Sequence, residues 1–314
     1  MKVKMPGKKV IRMICLFLGL FGFVYLLLFS PIGGRMHDGK RVYRADSLLL
    51  KFADGEVAIK AKDGHIAYIG TVKKGYADGE GALYDKQDNL VYQGSFAKSM
   101  YAGEGTLYYA SGIPKYQGGF VQNQFDGTGA LYNEMGLLQY EGQFSGGMKN
   151  GTGTLYDAAG EKIYTGSFLM DEPVYQWFLG RNGMQIAQVY EGEMNPAQVD
   201  GTWLVTMPAL SMSYSGAFSE EMEGGVVAQT LYISKDCFVY GKQKLHTLSE
   251  IQKVLGEPLT SGSVTPSKLE RAACSAFQIE GDVVATVFFR DDVTYTFFSL
   301  KGQDDFFMIE LQGA

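Results

Sequence analysis

The chain reads as mainly β. The expected architecture is an elongated antiparallel β-hairpin repeat meander, preceded by an N-terminal transmembrane helix and followed by a small C-terminal α+β domain. Three observations predict this. Tyrosine recurs at 68, 92, 116, 140 and 164, with glycine two positions later each time and paired glycines in a second arm. Glycine accounts for 41 of 314 residues, beside 20 tyrosines and 20 phenylalanines, a composition suited to pleated strands joined by tight turns. Residues 13–32 carry no charge at all.

The N-terminal elements come first. Residues 1–12 are basic, and the 20 uncharged residues 13–32 would span about 30 Å as a helix, one hydrocarbon core. Pro31 directly after Ser30 suits signal cleavage poorly, so the segment reads as an uncleaved single-pass anchor. Five basic residues precede it, while Arg35, Lys40, Arg41 and Arg44 follow with Asp38 as an offset. That balance places the N-terminus in the cytoplasm and the body outside, at a cell membrane. Residues 33–45 read as a polar linker.

Residues 1–46 hold nine basic and two acidic side chains, a charge of +7, which leaves −13 on the rest of a chain whose total is −6. Phosphate backbones need clustered Lys and Arg, so nucleic acid is excluded as a partner of the body.

Residues 46–67 read as a degenerate capping half-repeat, with short strands around Val57–Ile59 and Ile66–Tyr68 and a turn at Lys62-Asp-Gly64. Residues 68–168 then hold four to five regular units. In each, Tyr-x-Gly-x-Phe alternates with period 2 and places Tyr, Gly and Phe on one strand face. The second arms carry Gly79/Gly81, Gly103/Gly105, Gly127/Gly129 and Gly151/Gly153, followed by Leu83-Tyr84, Leu107-Tyr108, Leu131-Tyr132 and Leu155-Tyr156. Turn glycines close the units at 112, 136 and 160, with Asp88 in the first. The tyrosine ladder is expected to be core, each ring lying across a glycine of a neighbouring strand.

This combination of spacing and residue types resembles the MORN repeat family, including its bacterial membrane-anchored variants. The resemblance implies a twisted hairpin meander and a scaffolding or interaction role, with lipid-headgroup binding proposed for some members. It covers about 68–235, weakening after 168. Residues 169–235 keep tyrosine starts at Tyr190 and Tyr214 but lose the paired glycines, which Tyr175 and Trp177 replace. The stretch Asp171–Phe178 reads as a binding loop or a worn repeat. Tyr175, Trp177, Phe178 and Trp203 are the candidate contact surface.

Residues 236–314 lose the period. Thr247 is expected to cap a helix over 248–255, with Glu250 completing a capping box and Gly256 ending it. A loop is expected over Thr260–Ser267, then strands over 276–280, 283–290, 293–300 and 306–311.

No catalytic, cofactor or metal residue is assigned. His37, His65 and His246 are isolated, and no Gly-x-Ser-x-Gly, P-loop or His-Glu-x-x-His occurs. Of the three cysteines, Cys237 and Cys274 can either pair in an exported body or stand as separate buried residues. The resulting expectation is a non-catalytic membrane-anchored scaffold with a protein partner. The alternative is a lipid-headgroup or cell-wall glycan binding module. A contact surface is expected where the pattern fails, in the fifth unit and the C-terminal domain.

Overall fold

A computed structural model describes residues 36–218, 225–234, 238–274 and 281–313. The basic segment, the apolar span 13–32, Cys15, Cys237 and the expected strand 276–280 lie outside the described residues. Among those described, no helix is long and apolar enough to cross a membrane.

The chain divides into two compact units, 1–124 and 125–314. In the first, β1 (Met36–His37) and β2 (Lys40–Arg44) form a small antiparallel pair, and β2 runs parallel to β3 (Gly55–Lys60). The linker expected at 33–45 is therefore largely strand. A 3-10 turn at Leu48–Phe52, capped by Ser47, carries the chain across to make the parallel pairing possible. From β3 onward the strands pair antiparallel in sequence order: β4 (Ile66–Lys73), β5 (Tyr76–Tyr84), β6 (Leu90–Ala97), β7 (Met100–Tyr108) and β8 (Pro114–Val121). The second unit holds the same meander in β9 (Gln124–Tyr132), β10 (Leu138–Ser145), β11 (Met148–Tyr156), β12 (Lys162–Leu169) and the two-residue β13 (Glu172–Pro173).

The ladder is core, as expected. Tyr68, Tyr92, Tyr116, Tyr140 and Tyr164 are all buried. Each packs edge-to-face on the phenylalanine four residues on or one repeat on, as in Tyr92–Phe96 at 5.1 Å and Tyr140–Phe168 at 5.1 Å. The two glycines of each second arm do different jobs. The first (Gly79, Gly103, Gly127, Gly151) has a left-handed backbone, whereas the second lies under a tyrosine ring, as Gly105 does under Tyr92 and Gly153 under Tyr140.

Two devices are invisible in the spacing. Every ladder hydroxyl donates to the carbonyl three residues ahead, from Tyr68 to Thr71 (2.8 Å) through Tyr116 to Gly119 (3.0 Å) and Tyr190 to Glu193 (3.0 Å). This satisfies a buried polar atom inside an aromatic stack. In addition, successive two-residue turns each bond to the start of the strand that follows the preceding turn. The Ser99 N–H donates to Ala77 O, and the Ser99 hydroxyl accepts from Ala77 N. Asn123 does the same with Tyr101, and Asp171 with Lys149.

The array ends where its glycines end. After β13 the chain forms a 3-10 turn at Tyr175–Phe178 and helix α1 (Gly183–Ala187), then returns so that Tyr190 bridges Tyr164. The segment 189–191 thus occupies the edge of β12 that a regular fifth arm would cover.

The expected boundary at 236 is not where the sheets divide. An antiparallel sheet of eight strands takes β14 (Asn195–Val199), β15 (Thr202–Met207), β16 (Met212–Gly216) and β17 (Thr230–Ile233) from the degenerate repeats. A separate hairpin follows, β18 (Phe238–Tyr240) and β19 (Gln243–Leu245). The large sheet is completed by β20 (Thr260–Val264), β21 (Val283–Arg290), β22 (Val293–Leu300) and β23 (Phe306–Gly313), with β17 paired to β23. Alternating apolar residues on both strands, Leu231/Ile233 and Ile309/Leu311, bury side by side and draw the two segments together. The loop expected at 260–267 is in part the edge strand β20.

Helix α2 (Leu248–Leu255) has the expected Thr247–Glu250 capping box, and α3 (Lys268–Ala273) has an unforeseen one from Ser267 and Glu270. One sheet face packs Leu204, Tyr232, Phe298 and Met308 against Leu269, Ala273 and Cys274. Cys274 is a buried free thiol with its sulfur 3.4 Å from Ser234 Oγ. On the same face Glu310 lies between Tyr232 and Thr296. Burial and the neighbouring Glu270 carboxylate push its pKa up to about 7.

Candidate functional site

Two surfaces follow from this construction. The first is the outer face of the hairpins. Because Tyr, Gly and Phe are turned inward, the alternate positions face out. In the first unit these include Glu80, Gln93, Ser95, Thr106 and Tyr108. In the second they include Thr128, Glu141, Gln143, Thr152, Tyr156 and Thr165. The side chains bond laterally: Ser95 to Glu80, Gln143 Oε1 to Thr152 N (2.9 Å), Tyr156 to Glu141 (2.8 Å) and Thr154 to Thr165 (3.1 Å). The result in each unit is a pleated, polar surface with half-buried tyrosines.

The second surface is a cavity of about 520 Å³ within the second unit, in the size range of small-molecule sites. Its floor is the other face of the eight-stranded sheet, with Ile233, Ile309, Leu311, Val293 and Tyr295. Its walls are the remnant of the fifth repeat, Leu169 and Glu172–Gln176, and the strand-and-turn segment Phe238–Gly241. Asp291, at the tight turn joining β21 to β22, closes one side.

Polar groups are few and already oriented. The Tyr240 hydroxyl donates to Asp291 Oδ2 at 2.6 Å, and this bond is the main reason its pKa is raised. Gln176 lies beside Tyr295, whose pKa is raised mainly by burial. Glu172 lies 3.7 Å from the Lys244 ammonium. Both phenols are neutral at physiological pH.

The four contact residues expected from sequence divide. Tyr175 and Phe178 are buried, so they are not surface residues. The 3-10 turn directs Phe178 onto Tyr164, with ring centroids 5.9 Å apart, and Tyr175 inward, where its hydroxyl donates to Leu210 O (3.2 Å). Trp177 is half-buried beneath the Arg181 guanidinium, 5.2 Å from the ring. Trp203 is half-buried in β15 opposite Gly216. Tyr175 alone of the four lines the cavity.

Sequence reading missed Tyr240, Asp291 and Tyr295. Only the irregular stretch Asp171–Phe178, which contains Glu172 and Gln176, offered a signal. Among the described residues no group of three or more His, Cys, Asp or Glu side chains is disposed to hold a metal ion.

A protein-family model, the MORN repeat, matches residues 92–113, 116–136 and 140–162. Comparison with curated proteins finds no match.

Proposed function

From a chain that carries three consecutive MORN repeats, we propose a non-catalytic scaffold, anchored in the cell membrane through residues 13–32, that binds a protein partner through its repeats. MORN repeats are in general modules of protein or lipid interaction. The observation that carries the reading is how the array uses its side chains. The ladder tyrosines and the phenylalanines packed on them are consumed internally, and what faces outward in each unit is a polar, pleated surface with half-buried tyrosines. Such a surface suits extended docking of a macromolecule. The apolar uncharged span and the flanking charges support a single-pass anchor with the N-terminus cytoplasmic and the body extracytoplasmic.

The test is crosslinking of the full chain in native membranes followed by affinity purification. A partner should be recovered with the wild type and lost with Gln143→Lys/Thr152→Lys, which alter the outer face and leave the aromatic core intact. Recovery unaffected by these changes would refute docking on the repeats. Retention instead on lipid vesicles or cell-wall glycan would replace the protein partner with a lipid or a glycan. Protease accessibility of the C-terminus in intact cells checks the topology.

A further inference from the structure

The cavity of the second unit is not accounted for by the repeats. Its lining joins three features. The floor and much of the wall are aliphatic: Ile233, Val293, Ile309 and Leu311, with Leu169 and Val174. Four aromatic rings contribute, from Tyr175, Phe238, Tyr240 and Tyr295. Its charged lining residues, among the described residues, are the carboxylates Glu172 and Asp291, with no Lys, Arg or His. Two cations flank the cavity without lining it: the Lys244 ammonium, 3.7 Å from Glu172, and Arg290, whose charge lowers the Tyr240 pKa against the effect of Asp291.

Each feature selects on a ligand. Aliphatic walls select an apolar body, because they reward removal of apolar surface from water. Ring faces attract a cation through their quadrupole and offer nothing to an anion. Two carboxylates favour a positive head and repel a negative one. The existing hydrogen bond sharpens the choice. Tyr240 donates to Asp291, so this phenol is not free to solvate a ligand carboxylate without losing its present partner. Asp291 keeps acceptor capacity beyond the single Tyr240 bond, since an ionised carboxylate has about four lone-pair sites.

We propose that this cavity binds an organic ammonium ion, a positively charged amine on an apolar aliphatic or aromatic body. The body lies on Ile309, Leu311 and Val293, and the ammonium lies between the tyrosine rings and the Glu172 and Asp291 carboxylates. The site is independent of the outer face of the repeats. It uses the wall where the fifth repeat departs from its pattern: Glu172 keeps the regular register opposite Leu169, as Met148 does opposite Ser145, and Tyr175 and Gln176 join the wall through the 3-10 turn that follows.

Three probes of one shape test the assignment on the full chain: 4-phenylbutylamine, 4-phenylbutanol and 4-phenylbutyrate, followed by ligand-observed NMR titration. The amine is expected to saturate a single site and to bind about tenfold or more tighter than the alcohol, the difference one charge-assisted contact makes. The acid is expected to bind more weakly than the alcohol. Asp291→Asn keeps a residue that tolerates the left-handed turn backbone and should weaken the amine about tenfold while leaving the alcohol unchanged. Val293→Phe, at a half-buried position of the floor, should weaken all three by filling the space. Failure of every probe to saturate overturns the site. Equal binding of acid and amine, or amine binding indifferent to Asp291→Asn, overturns the ammonium assignment. Binding indifferent to Val293→Phe overturns the location.

Discussion

Gly153→Ala tests the account of the ladder most directly. Gly153 pairs with Gly142 on one side and Gly166 on the other. A Cβ there would sit 2.6 Å from Cε2 of Tyr140, where ordinary contact begins near 3.4 Å. The hydroxyl and Cζ of the ring lie closer still, so the ring would have to retreat by about 1 Å or more. It cannot do so freely, because it is fully buried and held edge-on by Phe144 and Phe168, each 5.1 Å away. Overpacking of this kind costs about 3 kcal/mol, the upper part of the usual range. Gly127 is the matched control. Its backbone is left-handed at φ +78° and nothing lies within 4 Å of its added Cβ, so alanine pays only the backbone term of about 1 kcal/mol. Urea unfolding followed by circular dichroism measures both, with the slope checked for constancy. Replacing Tyr140 by Leu should also lower the cost of Gly153→Ala by more than about 1 kcal/mol. Equal costs at Gly153 and Gly127, or additivity with Tyr140→Leu, would refute the idea that ring-on-glycine contact sets the period.

Three further outcomes are expected. Glu310 is raised from its ordinary 4.5 to about 7, so the folded protein holds that proton where the unfolded chain has released it. Stability should therefore be highest below pH 4.5 with respect to this group and fall as pH rises to about 7. Glu310→Gln should flatten that dependence and stabilise at pH 8 by up to about 3 kcal/mol, read from thermal unfolding across pH. Tyr116→Phe removes the hydroxyl that donates to Gly119 and should cost about 1 kcal/mol by urea unfolding, against no loss if the bond is unimportant. Thr247→Ala deletes the α2 cap and should cost about 1 kcal/mol, with increased amide exchange confined to residues 248–250.

The repeat was legible because its period is carried by residue types with few alternatives. Only glycine fits beneath a tyrosine ring, so Gly105 and Gly153 announce the ring positions of Tyr92 and Tyr140. The α2 cap was legible for the same local reason. Partners distant in sequence were not. Nothing within Thr230–Ile233 names Phe306–Gly313 as its neighbour, because alternation specifies a buried face and not the strand beside it. Two of the four expected contact residues, Tyr175 and Phe178, are off the surface because of local geometry. A strand through 175–178 would alternate in and out, whereas the 3-10 turn buries both Tyr175 and Phe178. Of the cavity only the irregular wall Asp171–Phe178 left a trace in the sequence, since Glu172, Tyr240 and Asp291 come to line one cavity only after the second sheet has formed.

The bonds from each turn to the strand start one repeat earlier bear on how such a chain can change length. Ala77 answers to Ser99, Tyr101 to Asn123 and Lys149 to Asp171, each over a separation of 22 residues. An insertion or deletion of a few residues within a hairpin shifts one member of such a pair and strands the other. Gain or loss of a whole 24-residue unit re-forms every bond with a new neighbour. Copy number is therefore the parameter that genetic duplication can alter at small structural cost, in steps of one hairpin, while the spacing inside each unit is held fixed by its neighbours.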